Sequence, residues 1–196
     1  MLTLALALVL HVQACPQRIV VTAPSTHSTT ASVSLLECGH RTAGPWAGHV
    51  GYRGLSARHR EGDGTTPLGT YAIGPTVYGV GSDPGVRLRY HRLVCGDWWD
   101  EDPGSPTYNR FRHVTCGTSP PFGGGSEALW RERVAYRAFA VVQYNAAPAV
   151  PGRGSAIFLH VSTGRPTNGC VSLEQSRLVS LLARLRPGAR ITIRTA

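Results

Sequence analysis

The chain has 196 residues, 42% of them hydrophobic, which is enough for one domain with a packed core. Its formal charge is +9 and every one of its 20 basic residues is arginine, a balance that suits an anionic surface such as a cell wall or a membrane face. The arginines are scattered, with no zinc-finger spacing and no RNA-binding aromatic signature beside them, which argues against nucleic acid as the partner.

Residues 2–10 form an apolar run as long as a signal core and too short to span a bilayer. Val12 and Ala14 put small residues where a signal peptidase cuts, so residues 1–14 are expected to be a signal segment and 15–196 a single domain. Cys15, directly after Ala14, also suits a lipidated N-terminus, although Gln13 fits that motif poorly. No later segment is apolar enough to cross a membrane. The expected location is therefore secreted or cell-wall associated, at most peripheral to the outer face of the membrane.

Export gives meaning to the five cysteines, because outside the cytoplasm structural cysteines pair and an odd one is a candidate reactive thiol. Residues 18–22 and 31–35 read as two strands around a turn-rich segment. Folding that hairpin about Thr26 and His27 brings Cys15 opposite Cys38. Cys95 and Cys116 bracket a loop rich in Gly, Asp, Pro and Trp, and closing it is worth about 3 kcal/mol in the chain-entropy model. This pairing leaves Cys170 free, though four cysteines allow three connectivities.

With 23 Gly and 14 Pro, the rest of the chain should be short strands and many turns. Residues 39–60 read as irregular. His40, His49 and His59 match no metal-ligand pattern and are expected at the surface. Residues 62–71, Gly-Asp-Gly-Thr-Thr-Pro-Leu-Gly-Thr-Tyr, should place Thr65, Thr66 and Pro67 in a tight loop before a short strand, with Asp63 a turn former rather than an acid catalyst. Residues 75–125 look loop-rich. Trp98 and Trp99 among Asp97, Asp100, Glu101 and Asp102 read as a packed loop core or as a carbohydrate or peptide platform, without the paired-acid geometry of glycoside hydrolysis. Gly123-Gly124-Gly125 is no phosphate loop, since no Gly-Lys-[Ser/Thr] follows.

Residues 127–133 suggest a short helix. Residues 138–145 and 156–160 read as buried strands forming an antiparallel hairpin, with Tyr144 and Asn145 falling away from His160. After His160 come a Gly- and Pro-containing loop and then Gly169-Cys170. Ser172 and Gln175 fit a capping box, and Leu178, Leu181, Leu182 and Leu185 come next at helical spacing before Arg186, Pro187 and Gly188. Residues 191–193 close the chain as a strand.

The layout from Ala156 to Ser172 has a chemical reading. A cysteine attacks as its thiolate, and a free thiol with a pKa near ~8.5 is little ionised at neutral pH. A helix N-terminus just after Cys170 would favour the anion. His160, at a strand end, would take the proton, and the N–H groups of Asn168, Gly169 and Cys170 would face an oxyanion. In the competing reading Cys170 is a buried apolar residue or half of a disulfide, and His160 is a core histidine.

His160, a short loop and Thr167-Asn168-Gly169-Cys170-Val171 resemble the active-site signature of the L,D-transpeptidase (YkuD-like) catalytic domain. Residues 62–71 resemble that family's Gly-Asp-Gly-x-Thr-Pro-x-Gly segment. Gly96-Asp97-Trp98-Trp99 with Asp102-Pro103 and Tyr108-Asn109 is similar to a loop of its actinobacterial secreted branch. The resemblance runs in order over roughly residues 60–195. Three positions depart from it: Asn168 stands where many members have His, Ser172 where many have Arg, and His160 lies only ten residues before Cys170.

The resemblance implies a mostly β fold, a YkuD-like sandwich or barrel of mixed sheets with a helix after the cysteine. It implies a Cys170 nucleophile, a His160 general base and acid, no cofactor and no metal. Peptidoglycan stem peptides would be the partners and carbapenem-type β-lactams the inhibitors. Thr66, which the family places beside the cleft, and Thr167, Ser162 and Tyr144 are the candidate substrate contacts. The implied product is an L,D (3-3 type) cross-link made through a thioester. Hydrolysis by an L,D-carboxypeptidase and a non-catalytic wall-binding module are the alternatives. A sortase-like enzyme would need Thr-Leu-x-Thr-Cys, which is absent here, and papain-like or NlpC-like hydrolases place Cys before His.

Overall fold

A computed structural model describes residues 15–123 and 125–196. The expected signal segment 1–14 and Gly124 lie outside these residues.

The chain opens on a hairpin, β1 (Gln17–Ala23) and β2 (Thr30–Glu37), whose open end is closed by a Cys15–Cys38 disulfide. β3 (His40–His49) comes next and pairs antiparallel with β2. The first half of the segment 39–60 is therefore not irregular, while most of 50–60 is turn as expected. The Gly and Pro that hide β3 in the sequence sit at a register shift, where Ala43 pairs with Leu35 and Trp46 with Val33, leaving Gly44 and Pro45 between. A proline has no N–H for the ladder, so a bulge is where a strand tolerates one. A Cβ on Gly44 would lie 2.5 Å from the Val33 carbonyl oxygen.

Two short parallel strands, β4 (Leu55–Ser56) and β5 (Thr66–Pro67), frame the Gly-Asp-Gly loop. β6 (Gly69–Gly79) is 11 residues long, not the short strand expected, and β7 (Arg89–Arg92) runs parallel to its end. β8 (Asp97–Asp100), β9 (Arg110–His113) and β10 (Glu127–Ala128) make a separate small sheet, with β8 in the middle. The Cys95–Cys116 disulfide closes the loop that carries β8 and β9. Where the sequence suggests a helix over residues 127–133, β10 runs into a single 3₁₀ turn, Leu129–Arg131.

β11 (Phe139–Val142) and β12 (Phe158–Val161) form the expected antiparallel hairpin. β13 (Val171–Leu173) lies parallel to β12, α1 (Gln175–Arg184) comes after it, and β14 (Arg190–Thr195) ends the chain. The main sheet has nine strands in the order β11-β12-β13-β3-β2-β1-β14-β6-β7, and β6 also pairs with β11. That second pairing closes the sheet into a barrel-like body of mixed strands with one α-helix among the described residues.

β11 and β12 are buried on both faces, which explains their unbroken apolar runs. Ala140, Val142, Leu159 and Val161 point into the main core with Leu178, Leu181 and Leu182 of α1 and Leu185 at its end. Fully burying each leucine is worth roughly 1.5–3 kcal/mol, enough to dock a ten-residue helix that would be marginal alone. Phe139, Val141 and Phe158 point the other way, into a second core with Trp99, Leu129 and Tyr136. The candidate site is built on this second face.

Candidate active site

Cys170 ends the loop that enters β13. The parallel register sets Leu159 against Val171 and His160 against Ser172, which brings Cys170 level with Phe158. The Phe158 N–H accordingly donates to Cys170 Sγ at 3.2 Å, and the thiol donates to the Ala156 carbonyl at 3.2 Å. His160 is two residues past Phe158, so the pleat turns it to the same face. Its Nδ1 lies 2.8 Å from the Val161 carbonyl. A carbonyl only accepts, so Nδ1 carries the hydrogen and Nε2 is left basic. Tyr136 packs edge-on to both the His160 and Phe158 rings.

Cys170 is half-buried and unpaired, the other four cysteines being bridged as Cys15–Cys38 and Cys95–Cys116. Its sulfur opens on two cavities. One, of about 410 Å³, is lined by Cys170, His160, Tyr136, Glu127, Thr167 and Asn168. The other, of about 430 Å³, is lined by Cys170, Asn168, Glu127, Glu101, Glu61 and His59, among others.

The sequence predicts a helix starting just after Cys170, but the structure puts a strand there. Val171–Leu173 is β13, wedged between β12 and β3. Glu174, not Ser172, is the cap, its carboxylate accepting from the N–H groups of Ser176 and Arg177. Ser172 is fully buried, and its hydroxyl has no hydrogen-bond partner. The helix dipole therefore does not act on the sulfur. Burial, and then the charge of Glu127, push the thiol well above its ordinary range. Burial pushes His160 the other way, to about 4. At neutral pH the pair is a neutral thiol and a neutral imidazole.

The turn before the cysteine is held by hydroxyls. Thr167 Oγ1 donates to the Cys170 carbonyl at 2.6 Å and accepts from the Gly169 N–H at 3.2 Å. The Gly169 amide is thus committed, contrary to its expected place among free oxyanion donors. Asn168 is exposed at the cavity mouth. Gly169 has φ +143°, and a Cβ there would meet the Thr65 carbonyl oxygen at 3.0 Å.

Thr66, a candidate substrate contact by resemblance, is fully buried. It accepts from the Gly51 N–H at 2.8 Å and donates to the Cys170 carbonyl at 3.3 Å, so it holds the backbone of Cys170 instead. Ser162 accepts from the Gly164 N–H in its own loop. Tyr144 is buried, with its hydroxyl on the Arg153 and His59 carbonyls, and lines other cavities, away from the sulfur.

Three residues around the sulfur escape a reading of the sequence: His59, Glu101 and Glu127. His59 is buried rather than at the surface, with Nδ1 3.0 Å from Thr65 Oγ1 and 3.1 Å from Asp63 Oδ1. Asp63 is the turn former expected, accepting from the Thr65 and Arg60 N–H groups. The His59–Asp63 spacing of four into a Gly-Asp-Gly loop is the available signal. Glu101 and Glu127 flank the sulfur from the small sheet. The Tyr136 hydroxyl donates to the Glu127 carboxylate, and Glu101 is raised to about 9, by burial first and then by Glu127. Trp99 belongs to the packed loop core, its Nε1–H donating to Asn109 Oδ1 at 3.0 Å.

Residues 41–193 match the family model YkuD, described as the L,D-transpeptidase catalytic domain. The match runs from β3 to β14, covers every element of the site, and leaves the β1–β2 hairpin outside. No curated protein matches the chain.

Proposed function

We propose that this chain, which belongs to the YkuD family of L,D-transpeptidase catalytic domains, is an exported cysteine acyltransferase that makes L,D cross-links in peptidoglycan. Membership gives it an L,D-transpeptidase-type function in peptidoglycan, with stem peptides as the substrates of the family. The observation that carries the finer reading is one unpaired sulfur opening on two cavities, with a basic imidazole nitrogen in one of them.

In this reading Cys170 attacks the carbonyl between an L-centre and a D-residue as His160 Nε2 takes the thiol proton. Because both groups rest neutral, proton transfer accompanies attack instead of preceding it. The amides of Asn168 and Cys170 face the oxyanion. His160 then gives its proton to the leaving amine, the C–N bond breaks and a thioester remains. An amine of a second stem enters from the other cavity and forms the 3-3 linkage. Two cavities at one sulfur favour transfer to a second peptide over hydrolysis.

The two disulfides fit an extracytoplasmic protein, and no helix among the described residues is long and apolar enough to cross a membrane. In keeping with this, residues 1–14 act as the export signal and 15–196 as the enzyme domain. The test is mass spectrometry after incubation with a carbapenem. Ring opening should add one drug mass at Cys170, and Cys170→Ala should abolish it. An unmodified wild-type protein would sink the assignment. Analysis of the products from purified stems then separates cross-links from trimmed stems.

A further inference from the structure

We propose that Glu127 is a second proton acceptor in the transfer step, receiving a proton from the ammonium group of the incoming stem. This assignment rests on the acyltransferase reading above. It starts from position: Glu127, Gly125, Asn168 and Cys170 line both cavities, and Glu127 is the one among them with a carboxyl group. Whichever cavity admits the acceptor, its amine passes this group on the way to the thioester. The carboxylate is held by the Tyr136 phenol, whose ring also packs against His160. The base and the carboxylate are thus fixed by one side chain. Neighbouring Glu101 lines only one of the two cavities and keeps its own proton up to about 9, by burial first and then by Glu127. Burial also raises Glu127, which makes it a better proton acceptor than an exposed carboxylate.

Proton accounting gives Glu127 its task. After acylation His160 has passed the thiol proton to the departing amine and is neutral again. A basic acceptor amine arrives as an ammonium ion and must lose two protons to become an amide N–H. When its nitrogen attacks, the C–N bond forms, the C–S bond breaks and the sulfur leaves with the electron pair. One proton travels through His160 to the sulfur and restores the thiol. The other must leave before attack, when the nitrogen's lone pair is still tied up, and Glu127 accepts it and later releases it to water. An acceptor that is already neutral, such as hydroxylamine, has only the one proton to lose and does not need Glu127.

The experiment uses the full chain, a stem tetrapeptide as donor, and two acceptors compared side by side: the primary amine of a second stem and hydroxylamine. Glu127→Gln should cut transfer to the stem amine by about 100-fold or more, the usual scale of a lost general base. Followed from the preformed acyl-enzyme, transfer to hydroxylamine should fall far less than transfer to the stem amine, and the Cys170 acyl-enzyme should accumulate when the stem amine is the sole acceptor. Tyr136→Phe, which frees the carboxylate without removing it, should show the same split with a smaller loss, and serves as the reading if the Gln variant does not fold. Equal losses with both acceptors, or undiminished transfer to the stem amine, would overturn the role of Glu127 and leave the acyltransferase intact. A wild-type protein that forms no thioester with the donor would overturn both.

Discussion

At the scale of single residues the site depends on keeping two groups uncharged. His160 is 8% exposed and titrates at about 4, against an ordinary 6.5 in the unfolded chain. The unfolded state therefore binds the proton first as pH falls. The stability from burying a neutral imidazole is full above 6.5 and drains away between 6.5 and about 4. By linkage that loss is on the order of 3 kcal/mol. Melting curves across this range should show it, and His160→Asn should flatten that part of the profile; an unchanged slope would mean His160 is not buried neutral. His160→Ala should also end turnover while circular dichroism stays native, and normal turnover in that variant would remove His160 from the mechanism. Gly169→Ala tests the turn in front of the sulfur. The left-handed backbone at φ +143° strains any side chain, and a Cβ 3.0 Å from the Thr65 carbonyl oxygen fits only if that backbone gives way. Strain of roughly 1–3 kcal/mol should lower the melting temperature and slow carbapenem acylation together.

At the scale of elements, the instructive case is the segment just after the cysteine. Ser172 and Gln175 carry a capping box in their spacing, and the leucines beyond them have helical periodicity, so a helix starting at Ser172 is the natural reading. Three residues, Val171–Leu173, are too few to show an alternation of their own, and what makes them a strand is the gap between β12 and β3 that they fill. Tertiary pairing overrides the local signal by one short strand. The same holds for β3, whose Gly and Pro make sense only once the bulge against β2 is known. The β11–β12 hairpin and the β1–β2 hairpin are readable because their apolar residues repeat and their turns are local. His59 and Glu127 are harder to read: their own partners are local, but each joins the site only by facing a cavity shared with the distant Cys170. The corrected helix start makes its own prediction. Glu174→Ala removes the cap at the true N-terminus, several residues past the sulfur. It should lower the midpoint of thermal or urea unfolding while carbapenem acylation keeps its wild-type rate. A slowed acylation in Glu174→Ala would restore the idea that the helix end acts on Cys170.

Across the whole molecule, the two disulfides close loops of similar length, 23 and 21 residues apart in sequence, yet they brace different things. The first staples a hairpin outside the family match. The second ties down the segment carrying β8 and β9, and β8 pairs in turn with β10, which carries Glu127. From that segment Asn109 accepts from Trp99 Nε1–H and from the Ala156 N–H, and Ala156 supplies the carbonyl that receives the Cys170 thiol hydrogen. A connected path therefore runs from the Cys95–Cys116 loop to the sulfur through Asn109 and Ala156. The Cys15–Cys38 hairpin reaches the site only from its turn, at the end opposite its bridge: the Val50 N–H donates to the Thr29 carbonyl, the Thr167 N–H to the Val50 carbonyl, and Thr167 Oγ1 to the Cys170 carbonyl. Replacing both cysteines of either pair with serine should lower stability by about 3 kcal/mol, since loop entropy depends mainly on length. Their effects on chemistry should part. Well below the melting temperature, the Cys15→Ser and Cys38→Ser double variant should take up carbapenem at the wild-type rate. The Cys95→Ser and Cys116→Ser double variant should take it up more slowly, because the wall shared by the two cavities and the contact to Ala156 both loosen. Equal acylation rates in the two variants would show that the small sheet holds its place without the bridge, through contacts such as Trp99 against Phe158 and Asn109 on the Ala156 N–H.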